Sequence, residues 1–206
     1  MLPPLVLNKN PHVELWQSFL SPAELQLFDF NKINFQRSYG YSFVDNTSKL
    51  VDDRTSSTNH DPANLAEFIR TRIFQTLDAR KELPGLELDH IEKMQITQYE
   101  PGQFYKPHFD FYNTRGWENT VENDRRATVI VYLNDGFTNG QTSFPELNIS
   151  VHPVAGMALY WRYDYDPATN AKTLHGGDPV GEGTKYITQA FIRNNTWYVG
   201  TEPKKK

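Results

Sequence analysis

Residues Ala127-Thr128-Val129-Ile130-Val131-Tyr132-Leu133 form an unbroken run of β-branched, aliphatic and aromatic side chains. The run is too short for an ordinary helix and rich in residue types that suit a buried, pleated surface, and it reads as a central strand. Three runs of similar texture accompany it: 94–99 (MQITQY), 157–161 (MALYW) and 185–193 (KYITQAFIR). Turn-forming residues separate them, and no helix-length pattern appears after residue 91. Upstream the texture differs. Val13-Glu14-Leu15-Trp16 reads as a short strand, and Ser21-Pro22-Ala23-Glu24 as a capping box with proline at the first helical position, opening a helix to about Asn31. Residues 34–60 are polar and turn-rich, and read as loop with short strands. A second helix is expected from Asp61-Pro62, because Leu65, Ile69, Ile73 and Leu77 recur every four residues and Phe68 widens the stripe. Helices followed by many strands indicate an α+β chain whose strands curl into two facing sheets or a barrel. Two polar insertions, 112–126 and 163–173, interrupt the strands, and such insertions either line a site or project into solvent.

Composition narrows the functional classes. At 206 residues the chain reads as one domain, spanning 1–206. A chain of this length buries roughly 70% of its unfolded surface, so a metal is not needed for stability and is expected to be chemical instead. Net charge is −4, and removing the run Lys204-Lys205-Lys206 takes the remainder to −7. That balance lacks the basic footprint of nucleic-acid binding. No apolar stretch approaches the roughly 20 residues of a membrane helix, and the N-terminal residues do not read as a signal peptide, which makes the cytoplasm the expected location. The absence of Cys removes thiolate nucleophiles, zinc fingers and iron–sulfur clusters together.

With six His and no Cys, any transition-metal site must be built from His and carboxylate. Two His and one carboxylate can hold octahedral Fe(II) by one face and leave three positions open. A His-x-Asp or His-x-Glu pair at a strand end suits this geometry, because residues i and i+2 share a face. Spacing alone is weak: six His and 13 Asp give about 0.4 accidental His-x-Asp matches. Three sets compete. His12-x-Glu14 is followed by His60 and Arg70, which mix helix and loop. His90-x-Glu92 is followed by His152, at a turn before Pro153, and by Arg162. For both, surface His beside a carboxylate is the competing reading. His108-x-Asp110, with His175 in a glycine-rich loop and Lys185 at the start of an alternating strand, is the set whose positions agree with one another.

The segment Tyr99-Glu100-Pro101-Gly102-Gln103-Phe104-Tyr105-Lys106-Pro107-His108-Phe109-Asp110 resembles the iron-site strand of the prolyl 4-hydroxylase family of 2-oxoglutarate-dependent dioxygenases. Three further blocks resemble that family in order: Arg126 to Asn134, Gly140-Gln141-Thr142-Ser143-Phe144-Pro145, and Leu174-His175-Gly176-Gly177 with Gly183-Thr184-Lys185-Tyr186. Phe19-Leu20-Ser21 and Arg54-Thr55-Ser56-Ser57 are weaker echoes. The resemblance implies a distorted double-stranded β-helix, or jelly roll, over about 91–200, supported by N-terminal helices over about 1–90. It also implies iron ligands at His108, Asp110 and His175, and a lysine, Lys185, that pairs with the far carboxylate of 2-oxoglutarate. Tyr99 and Thr142 match positions near the same cosubstrate. Tyr105 and Arg126 match positions that face the iron and the substrate.

The implied activity is hydroxylation of peptidyl proline to 4-hydroxyproline, with decarboxylation of 2-oxoglutarate to succinate. The implied cofactors are Fe(II), 2-oxoglutarate and dioxygen, with ascorbate as reductant, and the implied partner is a proline-containing peptide or protein. Loops 34–60 and 112–126 are the candidate substrate lids. Two departures bear on specificity: Phe191 and Arg193 stand where the family has Trp and then often His, and Asn139-Gly140-Gln141-Thr142 replaces Gly-Gly-Glu-Thr. The same chemistry on another residue or a small molecule, and a non-catalytic β-sandwich binding module, are the alternatives to peptidyl proline.

Overall fold

The computed structural model describes residues 2–42, 47–50, 52–60, 65–111, 125–163 and 166–195. In chain order the elements are β1 (Leu5–Lys9), β2 (His12–Trp16), α1 (Pro22–Leu25), β3 (Gln36–Arg37), β4 (Gly40–Ser42), β5 (Thr47–Lys49) and β6 (Ser57–Asn59). Then follow α2 (Glu67–Ala79), β7 (Gln95–Tyr99), β8 (Tyr105–His108), β9 (Arg125–Tyr132), β10 (Thr142–Phe144) and β11 (Ile149–Val151). The last are β12 (Ala158–Arg162), α3 (Pro167–Ala171), β13 (His175–Gly177) and β14 (Lys185–Arg193).

Strand alternation builds two hydrophobic layers on the large sheet, whose order is β1-β2-β12-β9-β14-β7-β6-β3. Ala127, Val129 and Val131 of β9, with Ala158, Tyr160, Ala190 and Ile192 on neighbouring strands, turn to one face and pack on Ile69, Ile73 and Leu77 of α2. All of these are fully buried. The intervening residues Tyr132, Leu159, Trp161 and Ile187 turn to the other face and meet Phe144 and Val151 from the small sheet, β11-β10-β13-β8. Two antiparallel sheets thus face each other across an aromatic interior, with α2 behind the larger one, as the jelly-roll expectation requires.

The N-terminal third departs from expectation in three places. The Ser21 capping box is present, with Ser21 N donating to Glu24 at 2.9 Å, but α1 ends at Leu25 instead of continuing to Asn31. Phe28 is buried in the α2-side core and Phe30 stacks on Tyr186 at 3.8 Å. Residues two apart lie on opposite sides of a helix, so placing both rings on the core requires leaving it. In α2, Leu65 and Ala66 form a turn and the helix starts at Glu67; its expected start at Asp61-Pro62 lies outside the described residues. Among the described residues of 1–90, six strands accompany the two α-helices, and β1, β2, β3 and β6 extend the large sheet. In the second half, the insertion 163–173 contains the short helix α3. Its signal is local: Asp166 accepts from Thr169 N at 3.0 Å and Pro167 occupies the first turn.

Candidate metal centre and cosubstrate pocket

β8 and β13 are antiparallel neighbours at the edge of the small sheet, and His108 and His175 are direct cross-strand partners. Their rings lie 4.5 Å apart. The close approach of these strands depends on Gly176, where a Cβ would come within 3.0 Å of the Tyr105 carbonyl oxygen. Asp110 follows β8 by two residues and turns its carboxylate to both rings, with His108 Nε2 3.5 Å from Oδ1 and His175 Nε2 3.4 Å from Oδ2. The nitrogen and oxygen atoms these three residues offer all lie within 4.8 Å of one another.

The hydrogen bonds behind the rings fix what this cluster can do. His108 Nδ1 meets the Lys106 carbonyl at 2.8 Å and His175 Nδ1 meets the Thr173 carbonyl at 2.9 Å. A carbonyl only accepts, so each Nδ1 carries a proton and each ring turns its Nε2 toward the carboxylate, as a proton donor in the metal-free chain or as a lone pair to a metal. Two lone pairs converging on an anion repel unless a cation lies between them. The arrangement fits a divalent metal, with backbone carbonyls setting the tautomers as in other metal sites. Burial pushes the His108 imidazole down, as does His175 beside it. Burial would raise Asp110, but the charge and hydrogen bonds of the two facing imidazoles, each offering a proton from Nε2 while no metal is bound, outweigh it and hold the carboxyl well below its ordinary range. Asp110 Oδ2 also accepts from the Thr128 hydroxyl at 2.9 Å.

Lys185 begins β14 opposite Tyr99 of β7 and is buried at 3% exposure. Its Nζ donates to the Gly140 carbonyl at 2.6 Å, its one hydrogen-bond acceptor among the described residues. Gly140 holds that carbonyl from a positive-φ conformation (φ +66°) that favours glycine. The ammonium lies 5.4 Å from the Tyr99 ring and 5.7 Å from the Tyr132 ring. Burial lowers its pKa to about 8, against the attraction of Asp178. A buried cation with one carbonyl acceptor has donors to spare for an anionic ligand. Thr142 is close by in the chain and buried; its oxygen accepts from the Tyr132 hydroxyl at 2.8 Å, which leaves its own proton to give.

Tyr105 stacks on His108 at 3.5 Å between centroids, and the Arg54 guanidinium lies 5.1 Å over the Tyr105 ring. Burial pushes the Tyr105 phenol up to about 12. Arg126 is corrected by the structure: its guanidinium donates to the Pro84 carbonyl at 3.2 Å, on the α2 side of the sheet. The arginine that reaches the candidate metal centre is Arg125, whose Nη1 donates to the Asp110 carbonyl at 3.1 Å. Pairing explains the exchange. Ile192 pairs with Ala127 and Arg193 with Arg125, so Arg126 is the extra residue of a β-bulge and the alternation of side chains breaks there. Arg125 is gripped by Glu92 at 2.9 and 3.2 Å and lies 3.5 Å over Phe191; Arg193 holds the same Glu92 at 2.7 Å. Of the departures from the family pattern, Phe191 packs on Arg125 and Arg193 shares its Glu92 partner.

The competing His sets serve the fold. Glu14 is fully buried and bonds His12, Trp16 and Arg80, which lower its pKa to about 2 despite burial. His90 caps its own turn, with Nδ1 accepting from Glu87 N at 3.4 Å, while Glu92 is spent on the two arginines. His152 meets Gln141 on the far side of the small sheet's hairpin at 3.4 Å. Reasoning from sequence missed Arg54, Glu92, Arg125, Thr128, Trp161 and Tyr163 as neighbours of the site. Of the candidate lid 112–126, residues 112–124 lie outside the described residues and Arg125 and Arg126 belong to β9.

Comparison with known proteins agrees with this geometry. Residues 94–193, from just before β7 to the end of β14, match the 2OG-Fe(II) oxygenase superfamily. Prolyl 4-hydroxylase 1 of Arabidopsis thaliana is 30% identical over 212 residues, covering 92% of this chain and 71% of that protein. Probable prolyl 4-hydroxylase 3 of the same plant is 29% identical over 214 residues, covering 91% and 71%. The fold is that of the viral collagen prolyl hydroxylase from Paramecium Bursaria Chlorella virus-1, solved as its 2-oxoglutarate complex, with a TM-score of 0.62 at 24% identity over 88% of this chain and 95% of that one. A relative of that identity matched over most of both chains, together with the superfamily match across every strand that carries the candidate centre, places this chain in the prolyl 4-hydroxylase family of 2OG-Fe(II) oxygenases.

Proposed function

We propose that the protein hydroxylates proline within a peptide or protein chain, with Fe(II) held by His108 Nε2, Asp110 and His175 Nε2 and with 2-oxoglutarate anchored on Lys185. The observation that carries this reading is the pair of Nε2 atoms aimed at one carboxylate, with both Nδ1 atoms held by backbone carbonyls and a carboxylate-seeking ammonium buried in the same interior. When bound, Fe(II) with 2-oxoglutarate and dioxygen supplies the oxidation, in which one oxygen atom enters succinate, carbon dioxide leaves, and the other oxygen atom becomes the product hydroxyl. The protein supplies placement. Lys185 neutralises the far carboxylate, Thr142 and Tyr99 border it, and Phe144, Trp161 and Leu159 exclude water from the interior. Tyr105 lies flat on one metal-ligand ring, where it restricts how a substrate can approach. Arg125, fixed by Glu92 and Phe191, holds the Asp110 backbone carbonyl and so steadies the candidate metal ligand from the large sheet. β1 and β2 pair into the sheet that carries Lys185, which supports reading the chain as a single catalytic unit.

Turnover with Fe(II), 2-oxoglutarate and proline-rich peptides tests the proposal, with succinate and peptide mass read together. Succinate formed in step with gain of one oxygen atom at proline is the expected result. If 2-oxoglutarate is consumed while no proline is oxidised, the substrate assignment fails and the oxygenase assignment stands. If no succinate forms with any peptide, both fail.

A further inference from the structure

We propose that Trp161, Tyr163 and Thr128 form a one-way chain of hydrogen-bond donors that keeps Oδ2 of Asp110 occupied and leaves Oδ1 to the metal. This inference rests on the metal reading above and concerns how the carboxylate is presented. Trp161 Nε1 donates to the Tyr163 hydroxyl oxygen at 2.8 Å. An indole nitrogen only donates, so the phenol oxygen is an acceptor there and its single proton points onward. Onward lie Thr128 Oγ1 at 3.1 Å and Asp110 Oδ2 at 3.4 Å. Thr128 Oγ1 donates to Asp110 Oδ2 at 2.9 Å, which makes it the acceptor of the Tyr163 proton. Every link therefore runs toward the carboxylate, and a donor-only group at the far end prevents reversal. Polarised chains of this kind are stronger than their separate bonds.

The placement follows from β12 and its neighbour. Trp161 and Tyr163 are two apart and share a face, and Trp161 is the cross-strand partner of Thr128 on β9. Trp161 is fully buried and also sets its ring edge-on against His175 at 4.6 Å, so one side chain braces two of the three candidate ligands. Tyr163 is held by Phe111 at 5.1 Å. Each carboxylate oxygen of Asp110 faces one ring, Oδ1 with His108 Nε2 at 3.5 Å and Oδ2 with His175 Nε2 at 3.4 Å, so what sets them apart is that Oδ1 accepts no hydroxyl hydrogen bond among the described residues.

The consequence is a count of coordination positions. A 2-His-1-carboxylate face leaves three positions, two of which a chelating 2-oxo acid takes and one of which dioxygen needs. A carboxylate free to bind through both oxygens would take one of those three. Trp161, Tyr163 and Thr128 are positioning residues that reserve Oδ2 and keep the third position available.

Co(II) titration of the full chain, read by affinity and by its visible absorption, tests this without turnover. Thr128→Val removes the last donor in the chain, and Co(II) affinity is expected to fall about tenfold or more, as for other lost partners of metal ligands, with a changed absorption spectrum. Thr128→Ser, which keeps the hydroxyl, restores both. If Thr128→Val keeps the wild-type affinity and spectrum, or if Thr128→Ser is as impaired as Thr128→Val, the donor chain is wrong and Thr128 only fills space. Should Thr128→Val fail to fold, Tyr163→Phe, which keeps the ring and removes the relayed proton, decides by the same two readouts. A wild-type chain that binds no Co(II) refutes the metal reading and this inference with it. Wild-type binding with unaltered variants refutes this inference alone.

Discussion

Lys185 is retained for binding at the expense of folding. Its ammonium is buried beside aromatic rings, and its pKa near 8 against an ordinary 10.5 corresponds to about 3 kcal/mol of lost native stability when it is charged. The sign follows from proton counts: between about pH 8 and 10.5 the unfolded chain binds more protons than the folded one, so stability of the ligand-free protein rises with pH across that window. Lys185→Met is expected to stabilise the ligand-free protein by about 2 kcal/mol at pH 7 and to flatten that rise. Urea unfolding at a series of pH values measures both. The same substitution should abolish 2-oxoglutarate binding while leaving Mn(II) binding near wild type, because it removes a countercharge and no metal ligand. A destabilised Lys185→Met chain would show that the lysine is satisfied in a way its surroundings do not suggest. His108, Asp110, His175 and Lys185 stood out in the sequence through the resemblance of whole motif blocks, since His-x-acid spacing by itself left three sets open, and the structure brings the three ligand candidates together. Thr128 and Tyr163 did not stand out, because a strand hydroxyl has the same appearance whether it fills space or steers a carboxylate.

At the scale of elements, β9 shows where strand periodicity misleads. Its interior alternates as the sequence indicates, with Val129 and Val131 to α2 and Thr128 and Tyr132 to the site. One extra residue at its start exchanges the faces of two adjacent arginines, and a bulge leaves no mark in residue composition. Arg125→Ala is expected to lower turnover by roughly tenfold or more, the worth of a lost charged hydrogen bond to the Asp110 backbone, whereas Arg126→Ala changes it little. Steady-state kinetics over a peptide concentration series compares them, and equal effects would contradict the assignment. The α2 stripe was legible because its period is that of a helix. Ile73→Ala, at a fully buried position, should cost about 2–4 kcal/mol in unfolding free energy without changing metal affinity. The end of α1 was not legible, because the pull of Phe28 and Phe30 onto the core is tertiary and ends the helix soon after a cap that forms as the sequence indicates.

For the whole molecule, the candidate metal centre joins the small sheet, which supplies His108 and His175, to the large sheet, which supplies Lys185 and, through Thr128, the hydrogen bond to Asp110. A ligand pair that bridges the sheets binds the folded chain alone and stabilises it by mass action. Mn(II) with 2-oxoglutarate at about a hundredfold over their dissociation constant should add about 2.7 kcal/mol. For a chain of this size that is a rise in Tm of roughly 5–10 °C. The class of fold was legible from the order of helical and strand patterns, whereas the sheet partners of β1 and β2 were not, since pairing is decided between residues far apart in sequence. The most direct test of the account is the Mn(II) affinity of His175→Ala set beside that of His152→Ala, read by electron paramagnetic resonance of the free ion. The wild-type chain and His152→Ala should bind Mn(II) alike, and His175→Ala should lose it. Loss of binding in His152→Ala with binding kept in His175→Ala would contradict the metal centre and the function built on it.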